Sequence, residues 1–85
     1  MPVALLREIA EAGPSRPGAL AQRLGVVAAH VTRQVTRLEE AGCAVRVPDP
    51  DDRRARRIRL TAPGRDAVDR LRDAGAQEMR LALAA

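Results

Sequence analysis

The apolar positions of this 85-residue chain change their period along its length. Leu5, Leu6 and Ile9 fall at helical spacing, with Arg7, Glu8 and Glu11 on the other side. This predicts a first helix from about Pro2 to Ala12, stopped by Gly13-Pro14. Ser15-Arg16-Pro17-Gly18 reads as a connector. Ala19 to Leu24 forms a second, short helical segment with Leu20 and Leu24 one turn apart, closed by Gly25. The chain restarts near Val27. From there Val31, Val35 and Leu38 recur at i, i+4 and i+7, giving one apolar stripe on a third helix, residues 28–41, that Gly42 ends. Two helices joined only by a Gly-centred turn carry the signature of a helix-turn-helix.

After Gly42 the period drops to two. Val45 and Val47 alternate with Ala44 and Arg46, and Ile58 and Leu60 alternate with Arg57, Arg59 and Thr61. Both stretches read as short half-buried strands. The residues between them, Pro48-Asp49-Pro50-Asp51-Asp52-Arg53-Arg54-Ala55, are rich in turn formers, so the segment predicts a β-hairpin with a long polar tip. Thr61 is placed to cap a fourth helix, with Pro63 in its first turn. Val68 and Leu71 hold the apolar side of that helix, continued by Met79 with Leu81 or Leu83, and Gly75 weakens its middle by about 1 kcal/mol relative to Ala. The expected architecture is an α+β winged helix-turn-helix of order helix-helix-helix-strand-strand-helix. It has room for a short extra strand near Ser15 and Arg16. Residues 1–85 form one domain, and 62–85 form a C-terminal helix available for dimerisation.

Composition sharpens this picture. The chain has no Phe, Tyr or Trp, so a core already thin at this length must be made of aliphatic side chains. Such a domain gains from a partner, either a second copy or a nucleic acid. The 15 basic residues are all Arg, against 11 acidic ones, for a net charge of +4. Arg presents a planar fork that suits phosphates and guanine edges. Cys43 is the single cysteine, which excludes an internal disulfide and fits a reducing cytoplasm; it reads as a small buried residue. The opening residues, with Arg7 and Glu8, match neither a signal peptide nor a membrane span, so no membrane partner is expected. One His and one Cys thirteen positions apart do not make a metal cluster. No nucleophile with its base, no Gly-rich phosphate loop and no paired carboxylates in an apolar setting are present, so neither catalysis nor a cofactor is expected.

With Val31, Val35 and Leu38 facing the core, Ala29, Arg33, Thr36 and Glu40 point the opposite way, flanked by His30, Thr32 and Arg37. Arg pairs with guanine, Thr bonds a base edge or touches a thymine methyl, and small residues admit the backbone, so this face suits a major groove. The competing reading is an ordinary solvated face. The hairpin is sharper: Arg53, Arg54, Arg56, Arg57 and Arg59 crowd into seven residues. DNA phosphates relieve that repulsion with counterion release, and a tip arginine can enter a narrow minor groove. The competing reading is an edge strand guarded by charge. Asp49, Asp51 and Asp52 take a local role, capping the turn and holding an arginine. Candidate DNA contacts are therefore Ala29, His30, Thr32, Arg33, Thr36, Arg37, Arg53, Arg54 and Arg56, with Arg16, Arg57 and Arg59 at phosphates.

The runs Gly13 to Gly25, Val31 to Gly42, Asp49 to Arg54 and Leu60-Thr61-Ala62-Pro63-Gly64 together resemble the MarR family of winged helix-turn-helix transcriptional regulators, over about residues 4 to 72. The most specific part is the wing, where an Asp is followed by Arg and then Leu-Thr-x-x-Gly. The resemblance implies that Arg54 enters the minor groove and that Asp52 supports the wing. It implies a homodimer on a pseudo-palindromic double-stranded site, and a small phenolic or other effector near the dimer interface. The chain departs from the family in three ways. Val27 stands where a capping Ser or Thr is common, no segment reads as the usual N-terminal dimerisation helix, and no aromatics are present to line an effector pocket. A rival reading is a winged-helix protein–protein module; charge on the wing argues against it, because interface centres are depleted of charge. A single-strand or RNA binder is disfavoured by the lack of stacking aromatics.

Overall fold

Helix formation follows the apolar spacing. In the computed structural model, which describes residues 2–84 and the side chains of 2–75, α1 spans Val3–Ala12, α2 Pro17–Leu24 and α3 Ala28–Glu40. Leu5, Leu6 and Ile9 from α1, Leu20 and Ala21 from α2, and Val31, Val35 and Leu38 from α3 are all buried in a single cluster. Burying each of the larger side chains contributes roughly 1.5–3 kcal/mol relative to exposure. The helix-turn-helix pair α2 and α3 is joined through Gly25, whose φ of 69° and ψ of 32° lie in the left-handed region that a residue without Cβ adopts freely. One expectation is corrected here. Residues 17 and 18, read as connector, form the first turn of α2, because a proline at the first helical position is already set at the helical φ.

The strands β1 (Ala44–Pro48) and β2 (Arg56–Leu60) pair antiparallel, with Ala44 opposite Leu60 and Arg46 opposite Ile58. Directly opposed residues share a face. The core face therefore holds Ala44, Ile58 and Leu60, all buried. Val45 and Val47 lie opposite Arg59 and Arg57 on the other face and are half-buried, while Arg46, opposite Ile58, is exposed, so Ala44 is the one fully buried residue of β1. The entry from α3 sets this register: Cys43 is buried and its carbonyl accepts the Thr61 N–H at 3.0 Å, which sets Ala44 against Leu60. At the far edge of β2, Ser15 exchanges both backbone bonds with Ile58, at 3.2 and 2.7 Å. The short extra strand near Ser15 is thus reduced to one residue.

Helix α4 spans Ala62–Ala84 and continues through Gly75. Thr61 opens it as expected: its Oγ1 accepts the Gly64 N–H at 3.1 Å and donates to the Gly42 carbonyl at 2.6 Å. Val68 packs in the core and Leu71 is half-buried. The side chains of Met79, Leu81 and Leu83, expected to extend the apolar side, lie outside the described residues. The Leu-Thr-x-x-Gly run now has a mechanical reason. A Cβ on Gly64 would collide with the carbonyl oxygen of Cys43, the atom that holds Thr61. Because backbone rather than a flexible side chain must give way, Gly64→Ala is expected to destabilise the fold by about 1–3 kcal/mol; a urea midpoint equal to that of the unaltered chain would refute this close approach.

Candidate nucleic-acid interface

The outward face of α3 begins with apolar groups. Val27 occupies its N-cap in an extended conformation and makes no side-chain cap. Ala29, Thr32, Arg33, Thr36 and Arg37 are exposed. The two threonine hydroxyls turn back on the helix: Thr32 Oγ1 donates to the Ala28 carbonyl and Thr36 Oγ1 to the Thr32 carbonyl, each at 3.1 Å. Their hydroxyl hydrogens are thereby used within the helix. His30 is half-buried, with its Nε2 2.8 Å from Gln34 Nε2 one turn on. Arg33 and Arg37 have no carboxylate partner among the described residues. Glu39, near the end of α3, accepts from Arg46 Nε of β1 at 3.0 Å, which ties the helix to the hairpin.

The wing is organised by Asp49. Its side chain has no exposed surface, so its charge must be met inside the protein. Arg16 Nε donates to Oδ2 at 2.7 Å and Arg57 Nε to the same oxygen at 2.9 Å. Oδ1 accepts the backbone N–H groups of Asp51 at 2.8 Å and Asp52 at 3.2 Å. The bond from Arg16, then that from the Asp51 N–H, hold the Asp49 carboxyl far below the usual carboxylate range, against the opposing effect of burial. The Arg16 guanidinium is raised by the same bond. Asp49 also donates its N–H to the Ala55 carbonyl at 3.2 Å, closing the tip into a loop.

This arrangement divides the arginines that the sequence grouped together. Arg53, Arg54 and Arg56 stand exposed at the tip. Arg16 and Arg57, expected at phosphates, give their Nε groups to Asp49. Arg59, exposed, lies at the lining of a cavity of about 350 Å³ between α1, β2 and α4, with Ile9, Leu60, Val68 and Arg72. Asp52, assigned to wing support by resemblance, is exposed and accepts one N–H within the turn, from Arg54 at 2.9 Å. The support that reaches beyond the turn comes from Asp49. Sequence reasoning named Asp49 only as one of three turn carboxylates. Nothing local in the sequence set it apart from Asp51 and Asp52.

A family model described as the MarR family matches residues 3–55, more than half of the chain. The chain belongs to the MarR family. A curated relative, the HTH-type transcriptional regulator YcgE of Bacillus subtilis, is 48% identical over 44 residues, which make up 52% of this chain and 29% of that protein. Among solved structures, RV1404 of Mycobacterium tuberculosis superposes with a TM-score of 0.91 at 31% identity, covering 98% of this chain and 57% of that one. FabT of Streptococcus pneumoniae, solved in complex with DNA, superposes with a TM-score of 0.80 at 27% identity, covering 95% of this chain and 56% of that one. This MarR-family chain thus spans less than two thirds of the length of these relatives. Among the described residues, no helix is long and apolar enough to cross a membrane.

The depressed Asp49 carboxyl makes an acid-stability prediction. A group whose folded pKa lies below its unfolded one contributes stability that is present above the unfolded value, about 4, and is lost as the pH falls toward the folded value. Stability is therefore expected to fall steeply below about pH 4. Asp49→Asn, which cannot carry the charge that answers Arg16 and Arg57, is expected to lower the urea midpoint at pH 7 and to flatten its dependence on pH in that acid range. Identical acid profiles for the two proteins would refute the role given to Asp49.

Proposed function

We propose that this chain is the DNA-binding part of a sequence-specific transcriptional regulator that acts on double-stranded DNA. In this reading α3 lies in the major groove and the tip residues Arg53, Arg54 and Arg56 meet the adjacent minor groove or the phosphates. The observation that carries it is a cluster of three exposed arginines on the wing loop and the first residue of β2, beside a carboxylate that is buried and fully partnered. Repulsion within such a cluster is relieved by phosphates, with release of their counterions. Membership of the MarR family and the likeness to FabT, a relative solved with DNA, support the same reading. Arg33 and Arg37 on α3 supply the forks that suit guanine and phosphate.

Two copies joined through α4 would read the two halves of a pseudo-palindrome about one helical turn apart. Val68 of α4 is in the core, Leu71 one turn on is half-buried, and the helix runs on to Ala84. The cavity beside Arg59 has the size of a small-molecule site; a molecule bound there would touch Arg65, Val68 and Arg72 of α4, and through them the proposed dimer helix.

The first experiment is a titration at several salt concentrations into a labelled duplex from the gene's own upstream region, beside a scrambled duplex. A preference of about a thousandfold with a steep negative salt slope is expected. Absence of binding at low salt would shift the reading to a protein–protein module. Arg33→Ala is expected to cost about 1–3 kcal/mol on the preferred duplex and to relax its preference, and Arg54→Ala to weaken binding more than Arg70→Ala on α4; equal effects of the last two would remove the wing from the interface. Sedimentation is expected to give twice the chain mass, halved in Leu71→Asp. A dimer that survives this change would place the interface elsewhere.

A further inference from the structure

The large apolar side chains exposed among the described residues are Val26 and Val27, at 38% and 69%. Both lie in the turn of the helix-turn-helix. A valine at the N-cap of α3 leaves unmet an N–H that a serine or threonine would satisfy, and it leaves a branched hydrocarbon in water. The turn nevertheless holds it firmly. Val26 N–H donates to the Ala21 carbonyl at 3.0 Å, and the Val27 carbonyl accepts from His30 at 3.1 Å and Val31 at 3.4 Å. Beside it, Ala28 and Ala29 are exposed, and the Thr32 hydroxyl is turned back onto the Ala28 carbonyl. The leading end of α3 therefore presents the methyl groups of Val27, Ala28 and Ala29 and no free hydroxyl donor. It is continuous with Arg33 and Arg37 on the same helix.

We propose that this apolar tip, with Val27 at its head, selects thymine by packing against its C5-methyl group. The major-groove edge of thymine carries the one methyl group among the four bases, and side chains that end in methyl groups make no hydrogen bond to the polar edges of the others. Val27 is thus a specificity-determining residue, and Arg33 and Arg37 supply the polar and electrostatic contacts that follow it along the helix. The inference rests on the DNA-binding reading above.

The test uses the full chain and a duplex selected by it from a randomised pool. Each thymine of that duplex is then replaced in turn by deoxyuridine, which removes only the methyl group. Binding is measured for the unaltered chain, for Val27→Ser, which supplies a helix cap, and for Val27→Ala; thermal melting confirms that both variants fold. At one or two thymines of a half-site, loss of the methyl is expected to weaken binding of the unaltered chain roughly fourfold, and both variants are expected to be insensitive at one of those positions. If a preferred duplex emerges but no thymine is methyl-sensitive, or the variants keep the same sensitivity, the inference falls and the DNA-binding reading stands. If no preferred duplex emerges, both fall.

Discussion

A carboxylate removed from water must have its charge met by the protein, and Asp49 meets this requirement by tying its own turn and the returning strand to a residue thirty-three positions earlier. It takes Arg16 from the start of α2, Arg57 from β2, and two backbone N–H groups from the wing turn. An ionised carboxylate is expensive to bury without partners; with its acceptor positions filled, the same group becomes a fixed joint. Because Asp49 anchors the wing from within, the tip arginines need no local carboxylate to hold them. Their mutual repulsion then acts outward, toward any polyanion that approaches.

The frame around that joint is built from backbone close approach and aliphatic packing rather than from surface charge. Thr61, Gly64 and Cys43 lock the start of α4 against the exit of α3 through three short contacts, and the lack of a Cβ at Gly64 makes this possible. Exposed pairs such as Arg23 with Glu8 and Arg46 with Glu39 are worth about 0–1 kcal/mol each, against roughly 1.5–3 for a single buried Leu or Ile. They orient elements that the core already holds together. Arg23 Nη2 also donates to Ser15 Oγ at 2.9 Å, which steadies the residue bridged to β2.

Helix α3 divides its outward surface between two chemistries. Its leading end is apolar and uncapped, and its middle carries Arg33 and Arg37, which have no carboxylate partner among the described residues. The threonines between them add no free hydroxyl donors, because Thr32 and Thr36 satisfy those hydroxyls on their own helix. A surface of this kind distinguishes bases by shape and apolar contact at one end and by charge and hydrogen bonding at the other.

The helices, their order, the Gly-centred turn and the hairpin were legible in the sequence, because helical and extended periods leave distinct spacings in a short chain and because Gly25, Pro17 and Thr61 act on their immediate neighbours. The Val31, Val35 and Leu38 stripe oriented α3 for the same reason: the helix repeat alone relates those positions. That Ala44 rather than Val45 is the buried residue of β1 was not legible, since both are apolar, and the choice depends on the Cys43 carbonyl meeting Thr61 across eighteen residues. Nor could the sequence separate Asp49 from Asp52, or Arg57 from Arg54. Within the wing the members of each pair are chemically alike, and only burial against Arg16, thirty-three residues away, makes one member a structural anchor and leaves the other free. Local patterning determined the elements and the excess of arginine; tertiary contact decided which arginines remain available for an interface.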